Sequence, residues 1–112
     1  MRKIHESSIK PRRVTGTKGW VDVFDLMTEP LTMGIRVIPP KSDIPARKHA
    51  HPEAQVTYVI SGTPKMTNLQ VTLELRPGDF VVLESNEEHY VLTEKNKARL
   101  LEVKFRQDPA AI

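Results

Sequence analysis

Short extended runs cut up by turn residues set the limits on this fold. Seven stretches of six to eight residues are enriched in valine, isoleucine, threonine and aromatics: WVDVFDLM (20–27), MGIRVI (33–38), QVTYVIS (55–61), LQVTLEL (69–75), DFVVLE (79–84), HYVLTE (89–94) and RLLEVKF (99–105). Between them lie EPLT, PPKSDIP, SGTPK, RPGD, ESNEE and KNKA, all turn chemistries. No segment keeps a helical period over ten residues. Pro30, Pro39, Pro40, Pro45, Pro52, Pro64 and Pro77 fall at the ends of runs, where a missing N–H breaks no ladder. This pattern predicts an all-β protein, either a barrel or a two-sheet sandwich.

Residues 1–19 are polar and basic, with Pro11, Gly16 and Gly19 as breakers, and read as an N-terminal arm carrying one short edge strand near Ser8 and Ile9. The domain is expected over 20–106, followed by a C-terminal tail at 107–112. The net charge of +3 is spread along the arm rather than gathered in a stripe, so no nucleic-acid partner is expected. MRKIHESSIK lacks the apolar core of a signal peptide, and no apolar run approaches the ~18 residues of a membrane span. The expected address is the cytoplasm, with no membrane partner.

The chain has no cysteine, which excludes disulfides, iron–sulfur clusters and thiolate zinc sites. A metal would have to be held by nitrogen and oxygen. KHAHPEAQVTYVISG (48–62) offers such donors. Alternate residues of a strand share a face, so His49 and His51 project together and can chelate one divalent ion. In the strand that follows, Gln55, Thr57, Val59 and Ser61 share one side; Val56, Tyr58 and Ile60 share the other. His89 opens a further strand 38 residues beyond His51. Three imidazoles and one amide oxygen would leave one or two coordination positions open to water and substrate. Histidines at this spacing can equally be structural or surface residues.

The wider pattern resembles the cupin superfamily. That family's first motif sets a glycine before His-x-His, then a glutamate and a second glycine. Here His49, His51 and Gly62 are in register, with Gln55 at the glutamate position and Asp43 at the first glycine. In the second motif Gly78 and His89 are in register, while Glu84, Asn86 and Thr93 stand for the proline, glycine and asparagine. The resemblance covers about residues 20–106 and implies a double-stranded β-helix, or jelly-roll barrel, of a kind that is often dimeric, so a homodimer is expected. It also implies one divalent ion (zinc, nickel, iron or manganese) bound by His49, His51, Gln55 and His89. With Gln55 in place of glutamate the ligand set is neutral. The site therefore keeps a charge near +2, attracts anionic oxygens and suits Lewis-acid work over redox cycling.

Apolar parity would wall the cavity with Met33, Ile35 and Val37, and with Leu101, Val103 and Phe105. That choice sends Arg36, Glu102 and Lys104 outward. A one-residue bulge would reverse it, making Arg36 a carboxylate clamp and Glu102 or Lys104 a proton-transfer group. The greasy set Val56, Tyr58 and Ile60 is expected to pack on the second sheet, the arm or a partner subunit, with Trp20 and Phe24 as core or interface anchors. The expected function is a metal-dependent cupin enzyme of ring-opening, isomerase or lyase type. Its substrate would be a small anionic or oxygen-rich molecule, as in the uronate ring-opening cupins of pectin breakdown. A metal-dependent dioxygenase and a non-catalytic ligand-sensing cupin are the alternatives.

Overall fold

The computed structural model of the protein describes residues 1–27 and 31–105. In chain order its strands are β1 (Arg12–Thr15), β2 (Trp20–Met27), β3 (Leu31–Ile38), β4 (Asp43–Ile44), β5 (Ala54–Ser61), β6 (Lys65–Thr67), β7 (Thr72–Glu74), β8 (Phe80–Leu83), β9 (Tyr90–Leu92) and β10 (Ala98–Phe105). The one helical element among the described residues is a 3₁₀ turn at Glu6–Ser8. Among the described residues no helix is long and apolar enough to cross a membrane. The expected tail at 107–112 lies outside the described residues.

Two antiparallel sheets face each other as a jelly-roll barrel. The larger runs β1-β2-β3-β10-β5-β8 and the smaller β4-β9-β6-β7. Val21, Val23, Ile38, Val59 and Leu100 from the large sheet meet Met66 and Val91 from the small one in a single core. Alternation along β5 follows the sequence pattern: Gln55, Thr57 and Val59 are buried, whereas Ile60 is exposed. β8 alternates as strictly, turning Val81 and Leu83 inward and leaving Phe80 68% and Val82 67% exposed on the outer face. There the Phe80 ring packs on Tyr58, with 4.7 Å between centroids.

Two local expectations are corrected. The edge strand of the arm is β1 rather than Ser8–Ile9: Arg12–Thr15 pairs in register with Trp20–Val23, and Ser8 ends the 3₁₀ turn. Of the run expected at 69–75 only Thr72–Glu74 is strand (β7); its partner β6 forms ahead of that run, and the two join around a turn in which the Asn68 carboxamide accepts hydrogen bonds from the Gln70 and Val71 N–H groups.

The inner face of β3 and β10 is the third correction. Ile38, Ala98 and Leu100 are fully buried, and they fix the parity of their strands. Gly34, Arg36 and Ile38 therefore face inward, as do Leu100, Glu102 and Lys104, while Met33, Ile35, Val37, Leu101 and Val103 form the outer face. Both parities of these strands carry apolar residues, so hydrophobicity alone selects the wrong one. The inner face instead hosts the charged groups of the cavity.

Candidate metal centre

The two sheets each bring imidazoles to one point. His49 and His51 sit in the loop entering β5 and not on a strand, so loop geometry rather than strand alternation brings them together, and His89 directly precedes β9. One ring nitrogen from each of His49, His51 and His89 lies within 4.8 Å of the other two. The three rings stand edge to face, with centroids 4.9 to 5.3 Å apart. This grouping is what a three-nitrogen metal site requires.

The second ring nitrogens determine what the first ones can do. His51 Nδ1 donates to the Glu53 carbonyl at 2.9 Å, and its Glu53 carboxylate neighbour lies 3.3 Å away. His89 Nδ1 likewise donates to the Glu87 carbonyl at 2.8 Å. A ring whose Nδ1 carries the proton presents a bare lone pair at Nε2, the form that binds metals, and the outer partner makes it a better ligand. Burial, followed by the charge of neighbouring rings and Lys104, pulls the His49 pKa down to about 4. Burial lowers that of His89 as well, against the opposing pull of the Glu87 carbonyl. Neutral imidazoles at neutral pH are the state that ligation needs.

Gln55 completes the test of fit. It is 1% exposed, its Nε2 donates to Thr57 Oγ1 at 2.8 Å, and its Oε1 lies 3.1 Å from His51 Nε2. With the His51 proton on Nδ1, where the Glu53 carbonyl accepts it, that contact sets two lone pairs against each other. A cation between or beside them removes the repulsion. The donor set therefore fits a divalent ion, with His49, His51 and His89 as nitrogen ligands and Gln55 as an oxygen ligand.

The loop that carries the histidines is held from beneath. Tyr90, fully buried, accepts from the Lys48 N–H at 2.7 Å and the His49 N–H at 3.3 Å, and donates to Glu88 at 3.2 Å. This grip sustains Lys48 at φ 68°, a conformation that costs energy for a side-chain-bearing residue. Arg47 lies over the Tyr90 ring at 4.3 Å and forks onto the Asp43 carboxylate. Asp43, at the position of a motif glycine, thus anchors the loop. Asn86, at another glycine position, adopts φ 63°, which asparagine tolerates better than most residues.

Beside the histidines opens a cavity of about 160 Å³ whose wall includes Arg36, Glu102 and Lys104. The expectation that these three face outward is overturned here. Arg36, 6% exposed, donates from Nη1 to Asp25 Oδ1 at 2.6 Å, and its Nε lies 3.1 Å from Glu102 Oε2. In the ladder Asp25, Gly34 and Glu102 fall in one cross-strand row. The bare Gly34 leaves the slot through which the guanidinium reaches both carboxylates. Sequence reasoning missed Asp25 and Tyr90, because neither belongs to a local motif; both act through partners on other strands.

Residues 34–104 match the family model of the cupin domain. The chain belongs to the cupin family. No curated protein sequence matches this cupin. Among solved structures, it is similar to a "predicted oxalate decarboxylase" of Thermotoga maritima, with a TM-score of 0.81 and 20% identity over 95% of this chain and 100% of that one. It is also similar to the polyketide cyclase RemF of Streptomyces resistomycificus, with a TM-score of 0.78 and 23% identity over 97% and 82% of the two chains. An RmlC-like cupin from Shewanella frigidimarina matches with a TM-score of 0.77 and 15% identity over 100% and 96%. At these identities the likeness speaks for the jelly-roll fold, and the function rests on this cupin's own residues.

Proposed function

We propose that this cupin is an enzyme in which a divalent ion, held by His49, His51, His89 and Gln55, acts as a Lewis acid on an oxygen-rich organic acid or sugar. The observation that carries the reading is the Glu102 carboxylate, which faces the same cavity as His49, Gln55 and His89 and is oriented by Arg36. A non-catalytic cupin has no need of a positioned proton carrier beside its ion. When bound, the ion polarises a substrate oxygen, and four neutral ligands leave its charge undiminished for that task. This same neutrality favours Lewis-acid chemistry over oxygenation.

Within this class we read the substrate as an unsaturated uronate. Support comes from the three-histidine, one-glutamine set and from an acidic residue on the last strand, both features of the uronate ring-opening cupins. Opening a cyclic hemiacetal moves the anomeric hydroxyl proton to a base as C1=O forms and the bond to the ring oxygen breaks; in an unsaturated uronate the departing ring oxygen carries the electron pair away as an enolate, which takes a proton at carbon. In this reading Glu102 takes the first proton and returns it to the enolate carbon, and Arg36 holds its carboxylate toward the cavity.

The test is elemental analysis of protein purified under low metal, combined with a turnover screen of uronates and diketones. The reading expects retained zinc or nickel and uronate turnover. Glu102→Gln should keep the metal while lowering kcat by about 10²- to 10⁴-fold, the usual contribution of a proton-transfer group. Full turnover by Glu102→Gln would remove the assignment. Bound iron with substrate-dependent oxygen uptake would favour a dioxygenase instead.

A further inference from the structure

The charged groups of the cavity wall form an alternating ladder. Arg12 on β1 lies 3.6 Å from Asp25 on β2; Asp25 meets Arg36 on β3 at 2.6 Å; Arg36 meets Glu102 on β10 at 3.1 Å. Lys104 ends the series, its Nζ 3.9 Å from Glu102. Three cations thus face two carboxylates. With a divalent ion on neutral ligands, the cavity carries a surplus of positive charge.

The three cations are not equivalent. Arg36 is spent, since its Nε and Nη1 are both engaged by carboxylates and its side chain is 7% exposed. Arg12 stands at the mouth with 66% of its side chain exposed, where water screens it. Lys104 is 25% exposed, and at 3.9 Å its contact with Glu102 is too long for a hydrogen bond. It is also the β10 partner of Gln55 in the ladder, which puts its ammonium on the same cross-strand row as the ligand set.

We propose that Lys104 selects an acidic substrate over its neutral counterpart, its ammonium binding a carboxylate of a sugar acid whose other oxygens reach the histidine cluster. The proposal rests on the metal-site reading above and adds the specificity element to it. A lysine suits this role because its three donors on a flexible stem can follow a carboxylate that the rigid Arg36 fork cannot reach. The cavity is small against the ~300 Å³ and more of a drug-sized site, which matches a single sugar acid rather than a polymer.

The test is calorimetric binding of D-galacturonate and D-galactose to the zinc-loaded protein. These probes differ at one position, a carboxylate against a hydroxymethyl group. Wild type should prefer galacturonate, and Lys104→Met should lose roughly ten- to a hundred-fold in galacturonate affinity, the worth of one charged hydrogen bond, with galactose binding unchanged. Lys104→Arg should recover most of the preference. A lysine that merely steadied Glu102 would move both probes alike, so the ratio is the decisive readout. An unaltered ratio in Lys104→Met that still holds its zinc overturns the proposal, as does a wild type that shows no preference for galacturonate. Lost selectivity in a protein that turns over no uronate would leave the Lys104 assignment standing and remove the proposed reaction. Uronate turnover with an unaltered ratio would do the reverse.

Discussion

Gly34→Ala is expected to destabilise this protein although the change adds one methyl group to an internal strand. A Cβ at that position would sit 2.5 Å from the Phe24 carbonyl oxygen and 2.9 Å from Arg36 Nη1, and would overlap the Asp25 carboxylate. The Phe24 contact is to backbone of the neighbouring strand and cannot rotate away. Either β2 and β3 part locally or the Asp25–Arg36 pair lifts out of its slot. Overpacking of this kind costs about 1–3 kcal/mol, and fully breaking a buried ion pair costs about 3–5, so the first route is the cheaper one. Replacing glycine also returns roughly 0.4–1 kcal/mol by stiffening the unfolded chain. The net expectation is a loss of about 1–2 kcal/mol. At about 4–8 °C per kcal/mol for a domain near this size, the melting midpoint should fall by roughly 4–16 °C. Thermal melts followed by circular dichroism measure it. Repeating them in an Asp25→Ala background should shrink the effect, because one of the clashing groups is then gone. A Gly34→Ala midpoint within 2 °C of wild type, judged against the ~4 °C lower bound, would show that the row is not tight and that Arg36 needs no slot.

Three further outcomes are expected. His51→Ala should lose stoichiometric metal on dialysis, since it removes one of three imidazole ligands and the partner of Gln55; a full equivalent retained at unchanged affinity, by elemental analysis, would contradict the ligand assignment. For the metal-free protein, the His49 pKa near 4 and the lowered His89 pKa mean that the unfolded chain binds more protons than the folded one below about pH 6.5. Stability should therefore be level above that pH and fall on acidification toward 5; urea midpoints that rise on acidification would reverse the sign. Finally, if the exposed Phe80 and Val82 on the outer face of β8 seat a second copy, a Phe80→Asp, Val82→Asp protein should show half the light-scattering mass of wild type; equal masses for the two would remove that expectation.

Local patterns carried much of this molecule into view. The histidines could be read from their register with the family motif, although His49 and His51 lie in a loop and not on the strand that alternation implied, and the face of β5 because Gln55, Thr57 and Val59 alternate against Val56, Tyr58 and Ile60. The fold class followed from the spacing of extended runs. What stayed hidden depends on pairing between distant strands. Along β3 and β10 both faces are apolar enough to be core, and only the fully buried Ile38, Ala98 and Leu100 decide which way Arg36 and Glu102 turn. Asp25 gains its role solely from lying across Gly34 from Glu102, 77 residues further along the chain. The two-residue β4 and three-residue β6 are too brief to leave a periodic trace, and each exists because β9 offers it a partner.

The imidazoles come from opposite walls: two enter ahead of a strand in the six-stranded layer, and the third ahead of one in the four-stranded layer. An ion seated among them is consequently a rivet through the whole sandwich, closing a chain loop of about forty residues whose entropy the unfolded state would otherwise keep. Chelation should then loosen the seam between the layers, quickening amide exchange along β5 and β9 together.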